Sequence, residues 1–267
     1  MAVSVTVLGS GSRGNSTVVA SSRTRLLVDA GFSCREIFRR MKDVGLDPRQ
    51  LDGVLITHEH SDHVSGLAVL ARKLNVPVFM TGATCENWVA SLPDAQSPDA
   101  VLKKRENFQA GRSFCVGDIE VRSFTIPHDA ADPVGFTFRA EGVRVGVVTD
   151  LGYMAANVVE QIRGCDVLMI ESNHDTEMLR LGPYPWAVKQ RVMSRVGHLS
   201  NEALADFFAS AYDGNATFVV LAHLSEQNNH PELARRAAEA ALSPRRNLVH
   251  NRLLLASQKQ ALGTLTL

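Results

Sequence analysis

Short runs of β-branched residues recur along the chain, and stretches whose apolar residues return every three or four positions alternate with some of them. The runs at 3–8, 25–29, 53–57, 76–80, 119–126, 134–139, 144–149, 167–170 and 217–222 predict strands. Helical spacing predicts helices over 34–44, 62–74, 155–163, 186–196, 201–212 and 231–242. Gly117-Asp118 and Glu141-Gly142 stand between alternating runs as hairpin turns, so antiparallel pairs sit inside a sheet that is otherwise βα-connected. Ser200 suits the N-cap of one late helix, and Pro231 opens the next at a position where its missing N–H costs nothing. Residues 91–105, rich in Pro, Asp and Ser, read as a surface loop. GVLITH at 53–58 and FVVLAH at 218–223 echo one another: each is a buried strand with a histidine at its C-terminal end. Two similar half-sheets facing each other would produce that echo.

Composition narrows the class without naming a chemistry. With 267 residues, 45% hydrophobic and 21% charged, the chain matches an ordinary folded protein, and residues 1–267 read as a single domain. Twenty-eight basic residues cancel 28 acidic ones, so no overall positive field gathers polyanions and any nucleic-acid contact must come from local patches. Four cysteines, far apart and without a C-x-x-C pair, suit a reducing, cytoplasmic setting. No apolar run approaches the ~20 residues that span a bilayer, and no basic segment precedes an apolar one at the start, so neither membrane insertion nor secretion is expected.

Gly9-Ser10-Gly11-Ser12-Arg13-Gly14 mimics a dinucleotide fingerprint, with Asp29 twenty residues after Gly9. The fingerprint needs a helix at its third glycine, whereas residues 16–29 alternate like a hairpin. The glycines then serve a connection with positive φ, or expose backbone amides to an anionic ligand. The sharper signal is His58-Glu59-His60-Ser61-Asp62-His63, at the end of a strand where a helix begins. Imidazoles and a carboxylate at this density suit a first-row divalent cation. Residues 58 and 60 share one side of an extended segment while 62 and 63 point elsewhere, which suggests two metal sites. Further ligands stand at later strand ends: His128, Asp150 and His223.

These residues resemble the metallo-β-lactamase-fold hydrolases. H-x-H-x-D-H matches at His58, His60, Asp62 and His63, and the family's later ligands match at His128, Asp150 and His223. The resemblance implies an α+β fold, a four-layer αββα sandwich of two mixed sheets with helices outside. It also implies one metal on His58, His60 and His128, a second on Asp62, His63 and His223, Asp150 as the bridge, and Asp29 in LLVDAG supporting the ligands from behind. Two divalent ions are expected, zinc first and manganese as an alternative, because the shell contains no sulfur.

Fold alone does not select a substrate. The segment between Asp150 and His223 is too short for the cap of β-CASP nucleases, and too little chain follows His223 for a glyoxalase II-type helical domain. GSGSRGN (9–15), IESNHD (170–175), GPYPWAVKQR (182–191) and GHLSN (197–201) resemble the YycJ/WalJ-type subgroup, which implies exonucleolytic cleavage of DNA. Glu171 and His198 stand where tRNA-processing RNase Z enzymes carry a proton-donating pair; helix capping near Ser200 is the competing role for His198. Asp62, His198 and Glu171 are therefore the candidate catalytic residues, and Ser12, Arg13, Asn15, His174 and Lys189 the candidate substrate contacts. The expected partner is nucleic acid, DNA first. A small-molecule hydrolase for thioesters, lactams or small phosphodiesters is the alternative on the same site.

Overall fold

The computed structural model describes residues 2–93, 97–243 and 251–267. Among these residues the chain forms two seven-stranded sheets. The first contains β1 (Ser4–Gly9), β2 (Ser16–Ala20), β3 (Arg25–Val28), β4 (Gly53–Leu55), β5 (Val78–Thr81) and β6 (Arg105–Phe108). The second contains β7 (Ser113–Val116), β8 (Ile119–Thr125), β9 (Val134–Ala140), β10 (Val143–Val148), β11 (Val167–Glu171), β12 (Phe218–Ala222) and β13 (Arg252–Leu255). A last strand, β14 (Leu265–Thr266), crosses back to pair with β1. The order is β14-β1-β2-β3-β4-β5-β6 in one sheet and β13-β12-β11-β10-β9-β8-β7 in the other. Each sheet has an antiparallel half and a parallel half: β3 to β6 run parallel, as do β10 to β13. Two similar half-sheets are present, as the echo of GVLITH and FVVLAH suggests, although β4 and β12 hold different positions in them, second in the half that starts at β3 and third in the half that starts at β10.

The helices are α1 (Cys34–Asp43), α2 (Ser61–Val64), α3 (Leu67–Leu74), α4 (Gly82–Ala90), α5 (Pro98–Val101), α6 (Ala156–Ile162), α7 (Thr176–Leu181), α8 (Trp186–Val192), α9 (Asn201–Ser210) and α10 (Pro231–Leu242). Three apolar layers fix their placement. Alternate residues of both sheets, such as Leu26, Val28 and Leu55 against Phe136, Val145 and Val220, fill the space between the sheets. The opposite faces pack outward: Leu27 and Val54 meet Ile37, Met41, Leu70 and Trp88, while Leu168 and Val219 meet Val158, Leu204, Phe208 and Ala238. Strands apolar on both faces and helices apolar on one stripe leave the four-layer αββα sandwich as the packing.

The predicted turns hold: Val116 pairs with Ile119 across Gly117-Asp118, and Ala140 with Val143 across Glu141-Gly142. The expected helix over 62–74 is instead two helices, because Gly66 carries its chain against Phe32, where a Cβ would lie 2.1 Å from the Phe32 carbonyl oxygen. The expected loop over 91–105 contains α5 and the first residue of β6, while residues 94–96 lie outside the described residues. Four strands went unpredicted, β6, β7, β13 and β14. All four lie at or next to sheet edges, and β6 and β14 in particular are short and partly exposed, so their hydrophobic signal is weak.

Candidate active site

Parallel strands direct their C-terminal ends to one edge of each sheet, and every predicted metal ligand but His128, which follows the antiparallel β8, comes after such an end or in the loop beyond it. Asp29, Asp150 and His223, which follow β3, β10 and β12, adopt left-handed backbone with φ of 62°, 61° and 54°. This conformation is costly for a residue with a Cβ, about 1–2 kcal/mol, and neighbouring hydrogen bonds hold it in place. The His223 amide donates to Ser10 Oγ at 2.9 Å, and its carbonyl accepts from Asn173 Nδ2 at 2.8 Å. Gly31 lets the loop after Asp29 press against the ligand segment; a Cβ there would lie 1.7 Å from the Asp62 carbonyl oxygen.

The side chains gather into groups that could hold metal ions. His58, His60 and His128 form one, and Asp62, His63, Asp150 and His223 another, with ligand atoms within 4.8 Å of one another in each. In four of the five histidines, Nδ1 faces a protein oxygen: Thr57 Oγ1 for His58 (3.0 Å), Asp29 Oδ2 for His63 (2.8 Å), the Gly197 carbonyl for His128 (3.2 Å) and Glu171 Oε1 for His223 (2.8 Å). That leaves Nε2 to ligate, as metal-binding histidines do when their other nitrogen donates to a second partner. Buried His58 Nε2 and Asp150 Oδ2 have no hydrogen-bond partner, which fits a cation between them. Burial would raise the Asp62 and Asp150 pKa values, but the histidines beside them prevail and hold both well below the usual carboxylate range. Both carboxylates are therefore available as anionic ligands.

A third grouping, Asp150, Glu171, His198 and His223, overlaps the second. Glu171 cannot serve there as a ligand, because its lone pairs are committed. Oε1 lies 2.8 Å from Nδ1 of both His198 and His223, and Oε2 accepts from the amides of Leu151 (2.9 Å) and Leu199 (3.1 Å). Burial opposes its ionisation, yet the His198 charge and the two imidazole hydrogen bonds hold its pKa at about 2. An ionised carboxylate only accepts, so both Nδ1 atoms carry protons. Helix capping falls to Ser200, whose Oγ accepts from the Ala203 amide at 3.1 Å, and His198 faces the cleft instead.

The cleft over these groups encloses about 380 Å³ and is lined by His60, Asp62, Asp150, His198 and His223, with Ser12 at one side and Tyr184, Val188 and Arg191 at another. Of the expected substrate contacts only Ser12 lines this cleft, and the other four are placed elsewhere. Asn15 is buried; its side chain accepts from Ser10 Oγ and the Gly11 amide and lies 3.1 Å from His63 Nε2, so it brackets the ligand loop. His174 is 2% exposed behind the Glu171 pair, where burial, reinforced by His198, lowers its pKa to about 4. Lys189 turns inward and donates to the Arg180 carbonyl at 2.7 Å, and the cation of that helix in the cleft is Arg191, held by Asp129. Arg13 points to solvent and pairs with Glu226 at 3.2 Å. The glycine loop is no amide cradle either, since the amides of Ser10, Gly11, Arg13 and Gly14 all donate within the protein. Ser10, Thr57 and Asn173, which orient ligands, were not singled out from the sequence, although Ser10 and Asn173 lie inside two of the motifs quoted above.

A model of the β-lactamase superfamily domain matches residues 24–224. The chain belongs to that superfamily. Exodeoxyribonuclease YycJ of Bacillus anthracis is 39% identical over 245 residues, covering 91% of this chain and 90% of that one. Exodeoxyribonuclease WalJ of Streptococcus pneumoniae is 37% identical over 228 residues, with 85% and 84% coverage. The metallo-β-lactamase fold protein YhfI from Bacillus subtilis superposes with a TM-score of 0.70 at 17% identity, over 97% of this chain and 99% of that one, and confirms the fold. The superfamily fold and the two ligand groups together imply divalent metal ions.

Proposed function

We propose that this superfamily member is a metal-dependent phosphodiesterase that removes nucleotides from the ends of DNA. The observation that carries the reading is the Glu171–His198 pair, 2.8 Å apart, with His198 opening into the cleft of the metal ligands. The alkoxide leaving from a phosphodiester needs a proton, whereas the thiolate of a thioester leaves without one. His198 spends its Nδ1 proton on Glu171 and keeps Nε2 for the leaving oxygen, while the ionised Glu171 steadies the imidazolium before transfer. The names of the YycJ and WalJ relatives support the same substrate class.

His58, His60 and His128 would hold one cation, Asp62, His63 and His223 a second, and Asp150 would lie between them, with Asp29 fixing His63 from behind. Divalent cations bound there supply a nucleophile of lowered pKa and positive charge against the phosphate oxygens. Asp62, which lines the cleft, orients the attacking water. Five imidazoles and two carboxylates without sulfur favour zinc, with manganese compatible.

The test is an assay with added zinc or manganese on end-labelled single- and double-stranded DNA, RNA and a small chromogenic phosphodiester. Stepwise shortening of DNA is expected, with binding that weakens steeply as salt rises. Turnover of the small diester without cleavage of any nucleic acid would refute the nuclease reading. Less than one equivalent of metal after reconstitution would refute the ligand assignment.

A further inference from the structure

The lining of the cleft is uneven. Beside the charged ligands, its only apolar members among the described residues are Tyr184, Val188 and Val192. Val188 and Val192 lie one turn apart on α8, and Tyr184 precedes that helix by two residues. Pro183 and Pro185 flank the tyrosine, and each locks its own φ while restraining the residue before it. Gly182, at the base of this linker, lies so close to Asn228 that a Cβ would come within 2.4 Å of Oδ1. The ring is thus presented on a stiff segment, and a tyrosine has only two side-chain angles to fix. Its hydroxyl has no hydrogen-bond partner among the described residues. A cleft of about 380 Å³ is of the size that takes one small ligand such as a nucleotide.

We infer that Tyr184, backed by Val188, is the platform on which the base of the terminal nucleotide stacks while its phosphate faces the ligands. The inference rests on the nuclease reading above. Stacking uses the face that every base shares, so the contact is indifferent to sequence. It also requires an unpaired base, so single-stranded ends are preferred and duplex ends must fray first.

The test compares an oligonucleotide carrying normal bases with one abasic at both termini, so that strand polarity does not matter. The metal-loaded protein is used, with kcat/KM from cleavage and Kd from fluorescence anisotropy on phosphorothioate-ended versions. The wild type should favour the base-bearing end roughly five- to hundredfold in both measurements. Tyr184→Phe should keep that ratio and Tyr184→Ala should abolish it, at unchanged metal content. Equal use of the two ends by the wild type, or a ratio that survives Tyr184→Ala, overturns the platform while leaving the nuclease reading intact. Failure to cut either strand overturns both.

Discussion

Replacing Glu171 by glutamine keeps the size of the side chain but cannot satisfy the four donors that the carboxylate now serves. Two are the imidazole Nδ1–H groups of His198 and His223, and two are the buried amides of Leu151 and Leu199. If the carboxamide NH2 faces the amides, both are left buried without acceptors, at about 1–3 kcal/mol each. If it faces the imidazoles, they must present Nδ1 lone pairs and carry their protons on Nε2. That second arrangement is the cheaper, and it removes the nitrogen with which His223 would ligate. Metal affinity should therefore fall about ten- to hundredfold, the usual cost of losing a partner behind a ligand. Cleavage of a diester with an alkoxide leaving group should fall by a further 10²–10⁴, roughly the worth of a general acid. His198→Ala separates the two effects: it should slow the alkoxide substrate by that second factor, spare a nitrophenolate substrate and keep its metal. The assay is rate against leaving-group pKa at saturating zinc, with metal affinity from chelator competition. Equal rate losses on both leaving groups in His198→Ala, or unchanged metal affinity in Glu171→Gln, would refute this account of the pair.

Other expectations follow from particular placements. Lys189→Met should lower stability by about 1 kcal/mol through loss of the bond to the Arg180 carbonyl, while the salt dependence of DNA binding stays the same; a slope smaller by about 0.9 would restore Lys189 as a phosphate contact. His174 has its pKa depressed to about 4 in the fold against 6.5 outside it, so the unfolded chain takes up its proton first. The stability this residue contributes is full above pH 6.5 and is lost as pH falls toward 4. Denaturant melts of wild type and His174→Gln in the same metal state should therefore converge across that window, and parallel curves would contradict it. Asp150→Gly and Asp150→Ala should both be inactive, but the glycine variant should be the more stable by about 1–2 kcal/mol, because Ala keeps the left-handed strain at φ 61°; equal melting midpoints would remove strain from the account.

How much of this was legible in the sequence depends on which force acts at each position. Strands with both faces buried, such as β4 and β12, must be apolar throughout, and a histidine ending such a run is conspicuous. The candidate ligands stand out for that reason. Edge strands carry no such demand, which is why RENF at β6 and LT at β14 passed unnoticed. The sequence around Lys189 reports only a charge on a helix, whereas its direction is set by α7, which brings the Arg180 carbonyl within reach. The placement of Asn15 is hidden for the same reason: its partners Asp62 and His63 lie 47 and 48 positions away.

The left-handed residues carry this furthest. LLVD, VVTD and VLAH look like strands that continue, yet at Asp29, Asp150 and His223 the backbone turns back through positive φ. Glycine would make that turn at no steric cost, but glycine has nothing to offer a cation or a neighbouring imidazole. A side chain that must both end the strand and reach the cleft has to accept the strain, and the structure around it has to hold it there. Ser10 and Asn173 do this for His223, and Thr57, donating to Asp29 through its amide and hydroxyl, does it for Asp29. The same device appears in both sheets, at the ends of β3, β10 and β12. β3 and β10 open the parallel halves of their sheets, so at these two matching positions the half-sheets deliver a carboxylate in the same way.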